Sequence, residues 1–114
     1  MRLTLTIEGD PLLSADLLGR PKRMTAGETT ATTPGGAVVR WHGQRGTRAF
    51  DAPAIITLAL ELTREVAIAL LSSWLYDKLK GGRARRLIVD RVEVQITEGE
   101  IRRVLLERME SQEQ

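Results

Sequence analysis

Cysteine is absent from this sequence of 114 residues, and histidine, proline and aromatic residues are scarce. Without cysteine the chain can form neither a disulfide framework nor a zinc site built on thiolates. His42 stands alone in "RWHG", so a catalytic triad or metal site around it would need residues from distant parts of the sequence. We interpret His42 as a strand residue, and we expect a core of Leu, Ile, Val and Ala because only 4% of the residues are aromatic.

A large excess of charge of one sign is also missing. Lys and Arg number 17 against 15 Asp and Glu, which gives a net charge of +2 at pH 7. This balance does not by itself indicate a nucleic-acid partner. The length is typical of one domain and the sequence shows no repeat, so we expect residues 1–114 to form a single domain.

The N-terminal segment "MRLTLTIEGD" has no basic region followed by a long apolar one, as a secretion signal would. The sequence therefore predicts a cytoplasmic protein, with membrane association as an alternative. Leu3, Leu5 and Ile7 alternate with polar residues, which is the period of a half-buried strand over residues 2–8.

Residues 10–36 are rich in Thr, Gly and Pro and have little apolar periodicity, so we expect a mobile loop. Residues 12–18 can form a helical turn or two within it, and an extended edge segment is an alternative for its later part. A strand is predicted at residues 37–42, "AVVRWH", and residues 47–50, "TRAF", are a candidate return arm.

One long helix is predicted from Asp51 to Lys80. Asp51 is placed to cap it, and Pro53 falls in the first turn, where a missing N–H costs nothing. Gly81 and Gly82 supply a left-handed stop after it.

The end of the sequence predicts a hairpin and a last helix. In "RRLIVDRVEVQIT" two apolar strands flank Asp90-Arg91, although one long bent strand is an alternative because Asp-Arg is not a favoured two-residue turn. Thr97 and Glu100 form a capping box, and the apolar stripe of the helix is Ile101, Val104, Leu105 and Met109. The sequence therefore predicts an α+β fold: a small, mostly antiparallel sheet packed on one long apolar helix plus a short C-terminal helix.

Crossing a membrane is unfavourable for the long helix by itself. The charges of Glu61, Arg64 and Glu65 cost about 8 kcal/mol on the insertion scale, and the Leu, Ile and Val residues around them recover about half of that. The helix is nevertheless apolar around about two thirds of its circumference, whereas packing on one sheet needs about one third. The last helix, a second copy of the chain or a membrane could cover the remaining flank.

If a second copy covers that flank, the ridge of residues four apart on the long helix is the predicted oligomer interface. It consists of Leu58, Leu62, Val66, Leu70 and Trp74. The membrane alternative is supported by Trp74 and Tyr76, followed by the basic segment "DKLKGGRARR", and would make the assembled chain a pore-type effector.

No sequence motif indicates catalysis or a cofactor. Ser72 and Ser73 fall inside the predicted helix, not on the strand-to-helix turn of a nucleophile elbow, and neither a P-loop nor a dinucleotide fingerprint occurs. We therefore expect no enzyme, no cofactor and no metal site.

Two basic clusters leave nucleic-acid binding as a further alternative, with Trp41 as a platform on which bases could stack. The competing interpretation is a solvated surface that keeps an apolar protein soluble. The clusters are Arg40, Arg45 and Arg48, and Lys78, Lys80, Arg83, Arg85 and Arg86.

Residues 68–81, "IALLSSWLYDKLKG", and residues 86–105, "RLIVDRVEVQITEGEIRRVL", resemble the small effector-associated components encoded beside proteases and other effectors in bacterial conflict (immune-like) systems. The resemblance implies a non-catalytic protein that assembles or recruits, with an effector encoded nearby as its partner. Together with the apolar flank, it favours a self-assembling adaptor.

Overall fold

The structure is a computed structural model that describes residues 1–46 and 53–112. The described residues form one antiparallel sheet of six strands and three helices. In chain order the elements are β1 (Arg2–Gly9), α1 (Leu13–Leu17), β2 (Thr30–Thr32), β3 (Val38–Arg45), β4 (Ala54–Glu61), α2 (Ile68–Leu79), β5 (Ala84–Val89), β6 (Val92–Val94) and α3 (Glu98–Gln112).

The strands lie in the order β2-β3-β4-β1-β5-β6. β1 is central because it pairs with β4 on one side and with β5 on the other. Its pairing with β4 runs along its whole length, from Arg2 opposite Glu61 to Gly9 opposite Ala54. The α+β class and the antiparallel sheet predicted from the sequence are therefore confirmed, with more strands than the hairpin and two single strands that we expected.

The alternation in each strand divides the sheet into two faces. Leu3, Leu5 and Ile7 of β1 point to one face together with apolar residues of the other strands, and all are buried there. The buried sides of the three helices pack on this same face and complete a single core. The helices contribute Leu13 and Leu17 from α1, Ile68, Leu71, Leu75 and Leu79 from α2, and Ile101, Val104 and Leu105 from α3.

The predicted long helix is wrong in its first half. Residues 54–61 form strand β4, which lies between β3 and β1 and pairs with both. In "AIITLALE" the alternate residues Ile56, Leu58 and Leu60 point into the core, which is the period of a strand. A short apolar run of this kind fits a buried helix equally well, and the two neighbouring strands decide the outcome. Asp51, the predicted cap, lies outside the described residues.

The second half of the prediction is confirmed as α2, which begins at Ile68 and ends at Leu79. The charged residues Arg64 and Glu65 lie in the turn between β4 and α2 and not on a helix. The backbone N–H of Ala67 donates to the carbonyl of Gly35 at 3.0 Å, which anchors the start of α2 to the turn between β2 and β3. Gly81 and Gly82 have positive φ after the helix, as expected of a left-handed stop.

The C-terminal elements agree closely with the sequence. Asp90 and Arg91 connect β5 and β6, and Asp90 adopts φ +56°, so the hairpin is confirmed and the bent-strand alternative is wrong. Strand β6 ends at Val94, before Ile96. The backbone N–H of Glu100 donates to Thr97 Oγ1 at 3.2 Å, which confirms the hydroxyl half of the capping box. At 15 residues α3 is longer than α2 with 12, so the C-terminal helix is not the short one.

Within residues 10–36 the structure contains α1 and the edge strand β2, so the alternative of an extended edge segment is confirmed. Loop mobility there stays a prediction. Strand β3 continues past His42 to Arg45. The candidate return arm at residues 47–50 lies outside the described residues.

Candidate functional site

The predicted interface ridge does not exist as a helix surface. Leu58 lies in β4, and Leu62 and Val66 lie in the segment before α2; all three are buried in the core. Leu70 and Trp74 alone belong to α2, where Leu70 is 58% exposed and Trp74 is half-buried against the core. The surplus apolar circumference that suggested a partner for the long helix is therefore accounted for by the central strand β4.

The first predicted basic cluster is partly neutralised. Arg40 Nε donates to Glu61 Oε1 at 3.0 Å, and Arg40 Nη1 donates to the carbonyl of Gly27 at 3.0 Å. Arg45 is exposed at the end of β3, and Arg48 lies outside the described residues. Trp41 pairs with Leu58, is half-buried against the core and has a buried Nε1.

The second basic cluster is divided among separate ion pairs. Lys80 Nζ lies 3.1 Å from Asp77, and Arg86 Nε lies 2.8 Å from Glu93. Arg83 Nη2 lies 2.5 Å from Asp16 Oδ2. Lys78 is half-buried and Arg85 is exposed. These positions form a surface of mixed charge, not a continuous basic patch.

Asp16 connects α1 with the turn that follows α2. One carboxylate oxygen accepts from Arg20 Nε at 2.7 Å and the other accepts from Arg83, so both oxygens are held by guanidinium groups. The hydrogen bond from Arg20, and then that from Arg83, holds the pKa of Asp16 below its usual range. The side chain is only 12% exposed, which fits a structural ion pair better than a binding group.

The largest feature without a described neighbour is the second face of the sheet. The described helices all pack on the core face, and none of them covers this one. We call this surface the open face. Its centre carries short side chains, and its two ends carry charged ones. The residues that line it include Arg2, Thr4, Thr6, Glu8, Val38, Arg40, Arg45, Ile55, Thr57, Ala59, Glu61, Arg86 and Ile88.

The sequence contained a signal for the open face that we did not use as a site. Thr4 and Thr6 alternate with the apolar residues of β1, and they are the polar half of the strand pattern. In β4 the same alternation places Thr57 beside Thr6 and leaves Ile55 42% exposed. Because the sequence pattern was interpreted as a helix over residues 54–61, it did not predict that Thr57 and Ile55 share one sheet face with Thr4 and Thr6.

A polar cluster lies at one end of the open face. Arg2 Nη2 and His42 Nε2 are 2.6 Å apart, so the imidazole nitrogen accepts from the guanidinium. Glu61, which pairs with Arg2 in the strand register, accepts from Arg40. The hydrogen bond from Arg40 holds the pKa of Glu61 below its usual range.

The other end of the open face carries Glu8, Arg45 and Arg86. Their strands bring them into one row with Ile55, since Arg45 pairs with Ile55, Ile55 with Glu8, and Glu8 with Arg86. Arg86 is held by Glu93, and in the described part of the chain neither Glu8 nor Arg45 makes an ion pair. Both ends of the face therefore carry charges of both signs.

The hydroxyl of Ser72 has its hydrogen-bond partner within its own helix. Ser72 is fully buried, and its hydroxyl donates to the carbonyl of Ile68 at 2.7 Å within the helix. Among residues 1–46 and 53–112, no group of three or more acidic or histidine side chains is placed to hold a metal ion. In the same ranges no helix has the length and apolar character needed to cross a membrane.

In comparisons with known proteins, no family model, curated protein or solved structure matches the chain.

Proposed function

We propose that this chain is a non-enzymatic interaction module that self-associates through the open face of its sheet. The observation that carries the proposal is that all the described helices pack on one face of the sheet. The long strands β1, β3 and β4 leave their second face, the open face, without any described element packed on it. Antiparallel sheets with one solvated face are common in monomers. The composition of this face distinguishes it.

The side chains at the centre of the open face are short and weakly polar. Thr4, Thr6, Thr57 and Ala59 stand side by side on β1 and β4, and none of them is longer than threonine. Long charged side chains would hold a second sheet away, and these four central positions carry none. Short side chains allow a second surface to approach to about 10 Å, the spacing of packed sheets.

The size of the face limits the strength of the contact. The eight-residue strands β1, β3 and β4 are about 26 Å long, and six strands span about 24 Å across. Because β2, β5 and β6 are shorter, the face covers at most about 600 Å², which is below the roughly 800 Å² that each partner contributes to a standard interface and suits a weak contact. Because Ile55 is the one large apolar side chain more than a third exposed in the described part of this face, the contact is polar in character and reversible.

Ser72 donates a hydrogen bond within its helix and His42 accepts one from Arg2, which favours a non-catalytic role. The side chain of Trp41 lies against the core, which disfavours stacking of nucleic-acid bases on it. The resemblance of residues 68–81 and 86–105 to effector-associated components supports a role in assembly or recruitment. We therefore extend the proposal to an adaptor in a bacterial conflict system, with an effector as its further partner.

The test is the molar mass of the purified chain, measured by light scattering over a range of concentrations without detergent. We expect a species larger than the 12.7 kDa monomer that dissociates on dilution. Thr6→Arg, in the centre of the open face, should give a folded monomer. Thr63→Arg makes the same change on the exposed turn after β4 and should leave the association unchanged.

Two outcomes would contradict the proposal. A wild-type chain that stays at the monomer mass at every concentration excludes self-association. If Leu70→Glu dissolves the larger species while Thr6→Arg does not, the contact lies on the exposed side of α2 and not on the sheet. Retention of the wild-type circular dichroism spectrum by each variant separates dissociation from unfolding.

A further inference from the structure

We infer that the partner on the open face is a second copy related by a two-fold axis that runs across the strands, so that Arg2 of each copy meets Glu8 of the other. The inference rests on the proposed function and gives the contact a defined geometry. It follows from three features of the face: the positions of the two residues on β1, the pairs that the other charges already make, and the rows set by the strand register.

Arg2 and Glu8 lie at opposite ends of β1 and on the same face. Six residues separate them, which is about 20 Å along a strand. Their side chains share the open face because residues an even number apart point to the same side of a strand. A rotation that reverses β1 end to end therefore places each of these residues over the other's position in the second copy.

Arg2 and Glu8 are less neutralised than their neighbours on the face, although Arg2 lies beside Glu61 and Glu8 lies beside Arg86 in the strand register. Arg40 and Arg86, the neighbouring cations on the face, are held by Glu61 and Glu93. Within the described residues, Arg2 makes a hydrogen bond to His42 but no ion pair, and Glu8 makes no ion pair. The guanidinium of Arg2 keeps further N–H donors for a carboxylate while it contacts His42.

The alternative two-fold axis, parallel to the strands between β4 and β1, is less favourable. It places β3 of one copy over β5 of the other. Arg45 and Arg86 lie in the same row of the sheet, so each Arg45 would then face an Arg86 of the second copy. The same axis also brings Arg2 over Glu61 of the second copy, so the opposed cations offset an attractive pair and this arrangement gains little from charge.

The axis across the strands avoids that contact. It places β1 over β1 and β4 over β4, with Thr4 of one copy over Thr6 of the other at the centre. At the ends, Glu61 of one copy lies over Ile55 of the other, between that copy's Glu8 and Arg45, so its two diagonal contacts are of opposite sign. The directly opposed pairs of Arg2 and Glu8 therefore carry the charge complementarity of this arrangement.

A charge exchange tests the pairing. Arg2→Glu and Glu8→Arg each turn two attractive contacts per dimer into two repulsive ones, so each should raise the dissociation constant about tenfold or more at low salt. The double variant Arg2→Glu/Glu8→Arg restores opposite charges across the axis and should recover most of the wild-type affinity. Arg102→Glu, on the exposed side of α3, makes the same change in net charge as Arg2→Glu and should have no effect.

The outcomes separate this inference from the proposed function. If the single variants leave the dissociation constant unchanged while Thr6→Arg abolishes association, the open face is the contact and the pairing is wrong. If the single variants weaken association but the double variant does not restore it, the pairing is also wrong. A wild-type chain that does not associate overturns both. Thermal unfolding of each variant as a monomer shows whether an effect arises from the fold.

Discussion

The carboxylate of Asp90 takes the place of a backbone acceptor opposite Thr4. The N–H of Thr4 donates to Asp90 Oδ1 at 3.0 Å, and the N–H of Asp90 donates to the carbonyl of Thr4 at 2.7 Å. The second carboxylate oxygen binds the guanidinium of Arg108 from α3. Asp90 therefore closes the hairpin, extends the pairing of β1 with β5 and anchors the C-terminal helix.

Replacement of Asp90 tests these linked roles. Asp90→Ala removes both acceptors and places an alanine in the left-handed region, so we expect a loss of about 3 kcal/mol in the free energy of unfolding. Asp90→Asn keeps an oxygen for Thr4 and tolerates positive φ, so it should cost only about 1 kcal/mol through the weakened contact with Arg108. Urea unfolding measures both values. Equal losses in the two variants would show that the hydrogen bond to Thr4 contributes nothing.

Two adjacent glycines separate backbone strain from steric contact. Gly35 has φ +91°, and a Cβ there would lie 2.7 Å from the carbonyl oxygen of Ala67, at the start of α2. Gly36 has a nearly equal φ of +89°, but a Cβ there would meet nothing within 4 Å. Gly36→Ala should therefore cost about 1–2 kcal/mol from backbone strain alone. Gly35→Ala should cost clearly more, because the start of α2 must also shift.

The measurement is the free energy of unfolding of both variants under the same conditions. Similar losses would mean that the contact between the β2–β3 turn and Ala67 is not maintained in solution. In that case the position of α2 on the sheet would need revision.

The reassignment of residues 54–61 to a strand predicts the behaviour of Leu58. It is fully buried between β3 and β1, so Leu58→Ala should destabilise the fold by about 3 kcal/mol. Leu70→Ala is the matched control on the exposed side of α2 and should change stability by less than about 0.5 kcal/mol. Thermal unfolding and molar mass together distinguish the assignments. If Leu58→Ala gives a folded monomer with unchanged stability, then Leu58 lies on a surface and not in the core, as the predicted interface ridge requires.

The pH dependence of stability should include a contribution from Asp16. The pKa of Asp16 is lowered in the folded state, so the stabilising ion pairs are fully present above the usual pKa of aspartate. They are lost as the pH falls below that value and through the lowered pKa of the folded state. We expect stability to fall below about pH 4. Asp16→Asn should reduce this acid-side slope. Asp77→Asn, which removes an exposed pair with Lys80, should retain it. Equal slopes in all three proteins would contradict a structural role for Asp16.

Much of the fold follows from local sequence patterns. The alternation of residues 2–8 predicts β1, Thr97 and Glu100 predict the start of α3, and Gly81-Gly82 mark the end of α2. Each of these signals acts within a few residues, because caps, turns and strand period depend on neighbouring backbone groups.

The open face and the identity of β4 were decided by the tertiary structure. An uncharged, largely apolar run such as residues 54–60 fits a buried strand and a buried helix alike, since both require side chains without charge. It becomes a strand because β1 and β3 supply hydrogen-bond partners on both sides for its backbone N–H and C=O groups. The partners in β1 are far away in the chain, from Gly9 opposite Ala54 to Arg2 opposite Glu61. The sequence by itself therefore determined β1, the end of α2 and the start of α3, and only long-range pairing determined that residues 54–61 form a strand in the middle of the sheet.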